Sequence, residues 1–189
     1  MTTQTMSKEY QLADLPFVQS LFTSKAMSWL WLVIRLYLGY QWIESGWGKI
    51  TNPAWMQGGE ALKGFWARAI LIPEAPARPL IAFDWYRNFI QFMLDSGNYV
   101  WFAKLVAVGE LLVGAALILG IFIWLSAFIG GFMNWNFMMA GSASVNPVFL
   151  ILSFLLVLAW KTAGWIGLDR WLLVQVGTPW QPGLLFQRK

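Results

Sequence analysis

The sequence predicts an all-α fold, an integral membrane four-helix bundle with an amphipathic helix in its one long loop. Three observations carry this. Hydrophobic residues make up 58% of the 189-residue chain and charged residues 12%, whereas a soluble domain carries roughly 25% charge. Apolar runs recur at the length a bilayer requires. The polar residues that interrupt them fall at helical spacing. This composition excludes a soluble single domain, a disordered chain and a nucleic-acid binder. The net charge of +4 is spread too thinly for a phosphate-binding patch. His and Cys are both absent. That excludes a zinc site of the usual kind, an iron–sulfur cluster, His-ligated haem, disulfides, thiol nucleophiles and any Ser-His-Asp triad.

Taken in order, residues 1–26 form a polar tail without a small-residue cleavage site, so no signal peptide is expected. The first span is residues 27–46, close to the ~20 apolar residues that cross a bilayer. Residues 47–98 form the outer loop, punctuated by Gly58, Gly59, Pro73, Pro76 and Pro79. Within it, residues 79–95 read as an amphipathic helix. Asp84, Arg87, Asn88, Gln91 and Asp95 make one polar stripe against Leu80, Ile81, Phe83, Trp85, Phe89 and Ile90. Residues 98–141 are apolar almost throughout and would measure roughly 65 Å as one helix, twice a membrane. The chain is therefore expected to reverse at Gly120, with spans at 99–119 and 121–140. Asn146-Pro147 opens a fourth span, 146–163, and residues 164–189 form the second tail. The whole chain reads as one transmembrane domain. Lys8 and Lys25 before the first span, and Lys161, Arg170, Arg188 and Lys189 after the fourth, place both termini in the cytoplasm of a multi-pass cell-membrane protein. Trp29, Trp31, Trp47, Trp101, Trp160 and Trp165 cluster near span ends as an aromatic belt.

Ionisable and amide groups inside spans are costly, and each is a candidate for function. Arg35 and Glu110 each lie eleven residues from the expected outer end of their span, about 16 Å deep. Equal depth predicts that they pair. Arg35, Gly39, Trp42, Gly46 and Lys49 share one helix face, and Ala103, Ala107, Glu110 and Gly114 share another. Glu44, Lys49 and Lys104 sit higher, and Asn134 lies about 10 Å deep. Asn134 and Asn136 point about 160° apart, so one pocket is not expected to take both. The expected site is a pocket opening outward, with Lys49 and Lys104 at a cationic mouth and Arg35 with Glu110 at its floor. Trp42, Trp101 and Trp135 offer aromatic walls. Such a pocket suits a small anion and a quinone.

Several motifs occur in a fixed order: Arg35-Leu-Tyr-Leu-Gly39 with Gly46-Trp-Gly-Lys49, then Gly109-Glu110-Leu-Leu-Val-Gly114, then Asn134-Trp-Asn136 with Asn146-Pro147, and finally Ala163-Gly164-Trp-Ile-Gly167-Leu-Asp169. Together the chain resembles the DoxX/DoxD family of four-span membrane proteins over residues 27–170. For the DoxD branch the resemblance implies the large subunit of a thiosulfate:quinone oxidoreductase, which oxidises thiosulfate to tetrathionate, reduces membrane quinone and works with a DoxA-like small subunit. Other DoxX-like proteins are linked to redox stress or quinone-related detoxification. Placed on these residues, the expectation makes Lys49 and Lys104 anion ligands beside Glu44. Arg35 is then the cation that stabilises the transition state and Glu110 the proton carrier. Asn134 or Asn136 is then the donor to a quinone carbonyl, with Trp42 and Trp135 as walls. Membrane lipid and quinone are the expected partners, and no nucleic acid is. A homo-oligomer is open. A different class of reading is a non-catalytic scaffold subunit or small-molecule carrier of a larger membrane redox complex. A scaffold would keep a buried ion pair but leave its pocket closed and filled by side chains.

Overall fold

The computed structural model describes residues 15–178 and 180–186. Lys8, Arg188 and Lys189, counted above toward orientation, lie outside the described residues. The chain is mostly helical. It runs through α1 (Pro16–Thr23), α2 (Ser28–Ile50), α3 (Pro53–Met56), α4 (Glu60–Ala69), α5 (Asp84–Asp95), α6 (Tyr99–Leu119), α7 (Ile123–Met139), α8 (Asn146–Leu158), α9 (Trp160–Ala163) and α10 (Asp169–Val176). A two-residue antiparallel ladder, β1 (Gly177–Thr178) with β2 (Gln181–Pro182), follows.

α2 packs along α6 and α7 along α8, and α6–α7 and α2–α8 contacts join the two pairs. Small residues make the first of these contacts intimate. A methyl group added at Gly46 would lie 2.7 Å from Leu111 N, one at Gly39 would lie 3.0 Å from Gly114 O, and one at Gly114 would lie 2.7 Å from Ile43 N. Positions rising along α2 meet positions falling along α6, so the pair is antiparallel.

The helix bounds differ from the predicted spans for local reasons. α2 continues one turn past Gly46 and carries Lys49 on the helix. Among the described residues only α6 is long and apolar enough to cross a bilayer by length and composition alone. The Trp, Tyr, Gly and polar residues of α2 dilute its apolarity. α7 has 17 residues and α8 has 13, short of the ~20 a crossing requires. The chain continues from α8 into α9 with an irregular step at Ala159. The reversal falls at Gly120, as expected, with φ +73°. Phe122 is left-handed as well, at φ +44°, which is uncommon for a bulky residue. Its N–H donates to Asp169 Oδ1 at 2.6 Å, so a remote carboxylate anchors this turn.

The outward faces of the long helices are apolar. Val33, Leu36 and Tyr40 on α2, Leu105 and Leu112 on α6, Phe128 and Phe132 on α7, and Ile151 and Phe154 on α8 are exposed. Monomeric soluble proteins rarely leave contiguous apolar surface on this scale, and lipid covers it without penalty. The buried residues form two clusters. One, around Trp31, Leu38, Trp42, Leu117 and Leu156, lies between the long helices. The other, around Leu62, Trp66, Ile81, Tyr86, Ile90 and Met93, lies under α4 and α5 against α6.

The segment 47–98 is therefore largely folded. The predicted helix 79–95 begins at Asp84, with residues 79–83 outside it, and α3 and α4 form inside a segment read as irregular. α5 has three faces. Tyr86, Ile90 and Met93 are buried, Asp84, Asn88, Gln91 and Asp95 are exposed and polar, and Trp85, Phe89 and Phe92 are exposed and aromatic. Arg87 leaves the polar stripe and pairs with Asp84 while donating to Ile81 O. A helix with those three faces covers a core on one side and meets an interface on the other.

The Gly46 contact predicts a stability difference. Gly46→Ala places a methyl against the Leu111 backbone and is expected to cost about 1–3 kcal/mol. Gly48→Ala, with nothing within 4 Å, is expected to stay within about 0.5 kcal/mol of the parent. Unfolding in detergent compares the two, and equal effects would contradict the close α2–α6 contact.

Candidate functional site

A cavity of about 460 Å³ lies at the seam of the two buried clusters. α2 supplies Gln41, Trp42, Glu44, Ser45 and Lys49, and α6 supplies Phe102, Val106 and Glu110. α7 supplies Asn134, Asn136 and Phe137, and the following turn with α8 supplies Ser142, Asn146 and Phe149. α4 and α5 roof it with Leu62, Phe65, Trp66, Tyr86, Phe89 and Ile90. Its lining combines aromatic and aliphatic side chains with a comparable number of polar ones. Apolar walls with convergent polar groups are a feature of small-molecule sites.

The central polar contact is an ion pair. Lys49 Nζ donates to Glu110 Oε2 at 2.6 Å and to Ser45 Oγ at 2.7 Å. The Glu110 side chain is 1% exposed and that of Lys49 19%. The Trp55 ring, 5.2 Å from Nζ, adds a cation–π contact. Three lining residues carry atoms with no hydrogen-bond partner among the described residues: Glu110 Oε1, Trp42 Nε1, and both Nδ2 and Oδ1 of Asn134. All are buried. Buried polar groups in native proteins are nearly always paired, so four orphans around one cavity mark where a ligand would complete the network. They comprise two acceptors and two donors.

Arg35 and Glu110 do not meet. The depth estimate set the outer end of α2 at Gly46 and matched it to Tyr99. In the fold Gly46 packs between Ala107 and Leu111, at least two turns farther along α6. This offset brings Glu110 level with Lys49 and carries Arg35 to the opposite end. There its guanidinium donates to Ala163 O at 2.8 Å and to Ile166 O at 2.7 Å. Gly120 and Gly167 lie against it. Asp169 is near enough to act on Arg35 electrostatically, and its carboxylate accepts from Phe122 N and Ile123 N at the start of α7. Burial pushes the Asp169 carboxyl up from its ordinary value, and those two N–H groups and Arg35 oppose the rise. Arg35 therefore lies outside the cavity. It holds the α8–α10 connection against the α6–α7 turn.

The other expected site residues divide. Trp42, Glu44, Lys49, Glu110, Asn134 and Asn136 all line the cavity. Lys104 is exposed on α6 and lies outside it, and Trp135 faces outward against Phe132. Trp101 also faces outward. The expected cationic mouth is absent from the lining, which carries Lys49 against two carboxylates, Glu44 and Glu110. Asn134 and Asn136 do share the cavity, contrary to the angular argument. Asn136 folds its amide back, Nδ2 donating to Phe132 O at 2.8 Å. The Tyr86 hydroxyl donates to Asn136 O at 3.1 Å from the α5 side, so the cavity reaches around the end of α7. Burial pushes the Tyr86 phenol up to about 12, which keeps it protonated as a donor.

Sequence reading missed Trp66, Phe102, Phe137 and Phe149. Each sits on an apolar helix stripe that also fits core packing. Tyr86 alone carried a signal, as a hydroxyl on the apolar side of α5.

A family model described as DoxX matches residues 30–140, more than half of the chain. No curated protein and no solved structure matches it. The matched region runs from α2 to the end of α7 and contains the Lys49–Glu110 pair and Asn134.

The pair predicts non-additive mutants. Lys49→Met strands a buried carboxylate and is expected to cost about 3–5 kcal/mol, and Lys49→Met with Glu110→Leu is expected to recover most of that loss. A double-mutant cycle of unfolding free energies in detergent measures the coupling. Strictly additive losses would show that the two side chains do not pair.

Proposed function

The chain belongs to the DoxX family, and from that premise we propose that this membrane protein crosses the bilayer with α2, α6, α7 and the α8–α9 pair, and binds a quinol/quinone ring in the cavity beneath α4 and α5. The single observation that supports this ligand class is the orphaned polar set. Trp42 Nε1 and Asn134 Nδ2 donate, while Glu110 Oε1 and Asn134 Oδ1 accept. A fitting ligand presents both hydroxyl donors and oxygen acceptors on a flat apolar body. Trp42, Trp66, Phe137 and Phe149 are placed to hold such a ring.

A bound quinone supplies a couple of two electrons and two protons. The residues handle the protons and the charge. Glu110 takes a hydroxyl proton through Oε1 and returns it in the reverse direction. Lys49, fixed on Oε2, balances the charge that remains. Trp42 and Asn134 orient the ring oxygen. α5, through Tyr86 and Ile90, covers part of that cavity and narrows its access to water.

The cavity favours the quinone half of a thiosulfate:quinone reaction more than the donor half. Thiosulfate is a dianion without hydrogen-bond donors, and one lysine faces it against two carboxylates. Two thiosulfates yielding one electron each to form the sulfur–sulfur bond of tetrathionate would then react at a DoxA-like partner or on another surface of the chain. A scaffold subunit would have filled the space that remains open here, so the open cavity favours a binding role.

Binding of a short-chain hydroquinone and its quinone to purified protein, read by quenching of tryptophan fluorescence, tests this. Both forms are expected to bind. Asn134→Leu and Glu110→Gln are each expected to weaken hydroquinone binding about tenfold, the loss of one buried hydrogen bond to a charged or amide partner. No saturable binding of either form, or unchanged binding in both variants, would overturn the reading. Quinone reduction driven by thiosulfate, assayed with and without a small subunit, tests the donor half.

A further inference from the structure

The charges of the described residues are divided between the two ends of the molecule. Of the carboxylates, Glu44, Glu60, Glu74, Asp84, Asp95 and Glu110 fall between residues 44 and 110, on the cavity side. The opposite end gathers the start of α2 with α1, α9 and the turn into α10. It has one described carboxylate, Asp169, which is buried and held by the Phe122 and Ile123 N–H groups. Lys25, Lys161 and Arg170 are exposed there, and none forms an ion pair among the described residues. Two of them converge on one indole: Lys25 Nζ lies 4.1 Å from the Trp165 ring centre and Arg170 Cζ 4.9 Å.

Among the described residues no carboxylate pairs with either of the two cations on this ring, and a bound anion would lower their mutual repulsion. The surroundings indicate what kind of anion. Trp29, Leu168, Trp171 and Val174, each within four residues of Lys25 or Arg170 in the chain, are exposed, and Arg170 also lies over the Trp171 ring. A phosphate ion or a nucleic acid has no use for that apolar rim, whereas a phospholipid places acyl chains on it and its phosphate at the cations.

We propose that Lys25 and Arg170, set over Trp165, form a headgroup site for an acidic phospholipid at the end of the molecule opposite the cavity. Lys161, over the neighbouring Trp160 ring, extends the same positive face. The site is separate from the cavity and does not depend on what the cavity binds.

The test uses full-length protein in a neutral detergent, with dioleoyl phosphatidylglycerol, dioleoyl phosphatidylcholine, glycerol phosphate and inorganic phosphate as probes. Bound lipid is counted by native mass spectrometry, and affinity is read from thermal stabilisation. Phosphatidylglycerol is expected to bind about tenfold tighter than phosphatidylcholine. The exposed double variant Lys25→Gln/Arg170→Gln should lose that preference, and Arg68→Gln/Arg78→Gln at the cavity end should retain it. Equal binding of the two lipids, or an unchanged preference in the Lys25/Arg170 variant, would overturn the proposal. Full competition by inorganic phosphate or glycerol phosphate would also overturn it, because the site would then be one for a free anion. The lipid-free melting temperature and a monodisperse elution profile of the same variants in detergent, each matching the parent, verify that they are folded.

Discussion

The close approach of α2 and α6 sets the terms for the rest of the molecule. Gly39, Gly46 and Gly114 remove the side chains that would hold the two helices apart, so backbone meets backbone. Helices this close have a single register, since a shift of one position would drive side chains into main chain. That register places Lys49 opposite Glu110 and sends Arg35 to the other end. A buried charge is tolerated when it is paired or bonded to backbone, and each of the three has such a partner. Lys49 and Glu110 have each other, and Arg35 has the carbonyls of Ala163 and Ile166.

The two buried clusters then account for the cavity. The long helices alone would leave the Lys49–Glu110 pair near the surface at that end of the molecule, where water would weaken it. α4 and α5 bring a second apolar cluster over that surface, and the space left between the two clusters is where the polar atoms collect. The ion pair is thereby moved from solvent into a lower dielectric, where orientation and charge balance matter more. The same roof sets Tyr86 against the end of α7 and fixes how far around that helix the cavity extends.

At the far end the structure is tied by long-range bonds. Asp169 lies more than forty residues beyond the N–H groups it accepts from, and Arg35 bonds carbonyls 128 and 131 residues away. The irregular stretch between Ala163 and Asp169 is held because its carbonyls are spoken for, and a left-handed Phe122 persists because a carboxylate receives its N–H. The catalytic role expected for Arg35 gives way to this architectural one. Its guanidinium is spent on main-chain acceptors outside the cavity.

Much was legible in the sequence because it follows from one helix at a time. Low charge with long apolar runs indicates a membrane chain, Gly120 marks the reversal, and the stripe along Asp84–Asp95 marks an amphipathic helix. The polar residues inside apolar runs, Trp42, Lys49, Glu110 and Asn134 among them, stand out because burying them is costly without purpose. Depth could not be read the same way. It depends on where two helices lock, and that lock is set by side chains of both at once. Hence Glu110 was assigned to Arg35, and Lys104 and Trp135 to a pocket they do not reach. α4 escapes a reading of the sequence although Leu62, Trp66 and Ala69 fall at i, i+4 and i+7, because its ten residues lie between turn-forming Gly58-Gly59 and Pro73 and read as loop. The sequence by itself determined which groups need partners, since that is a matter of solvation. Only the tertiary structure decided which partners they have, since that is a matter of register between helices far apart in the chain.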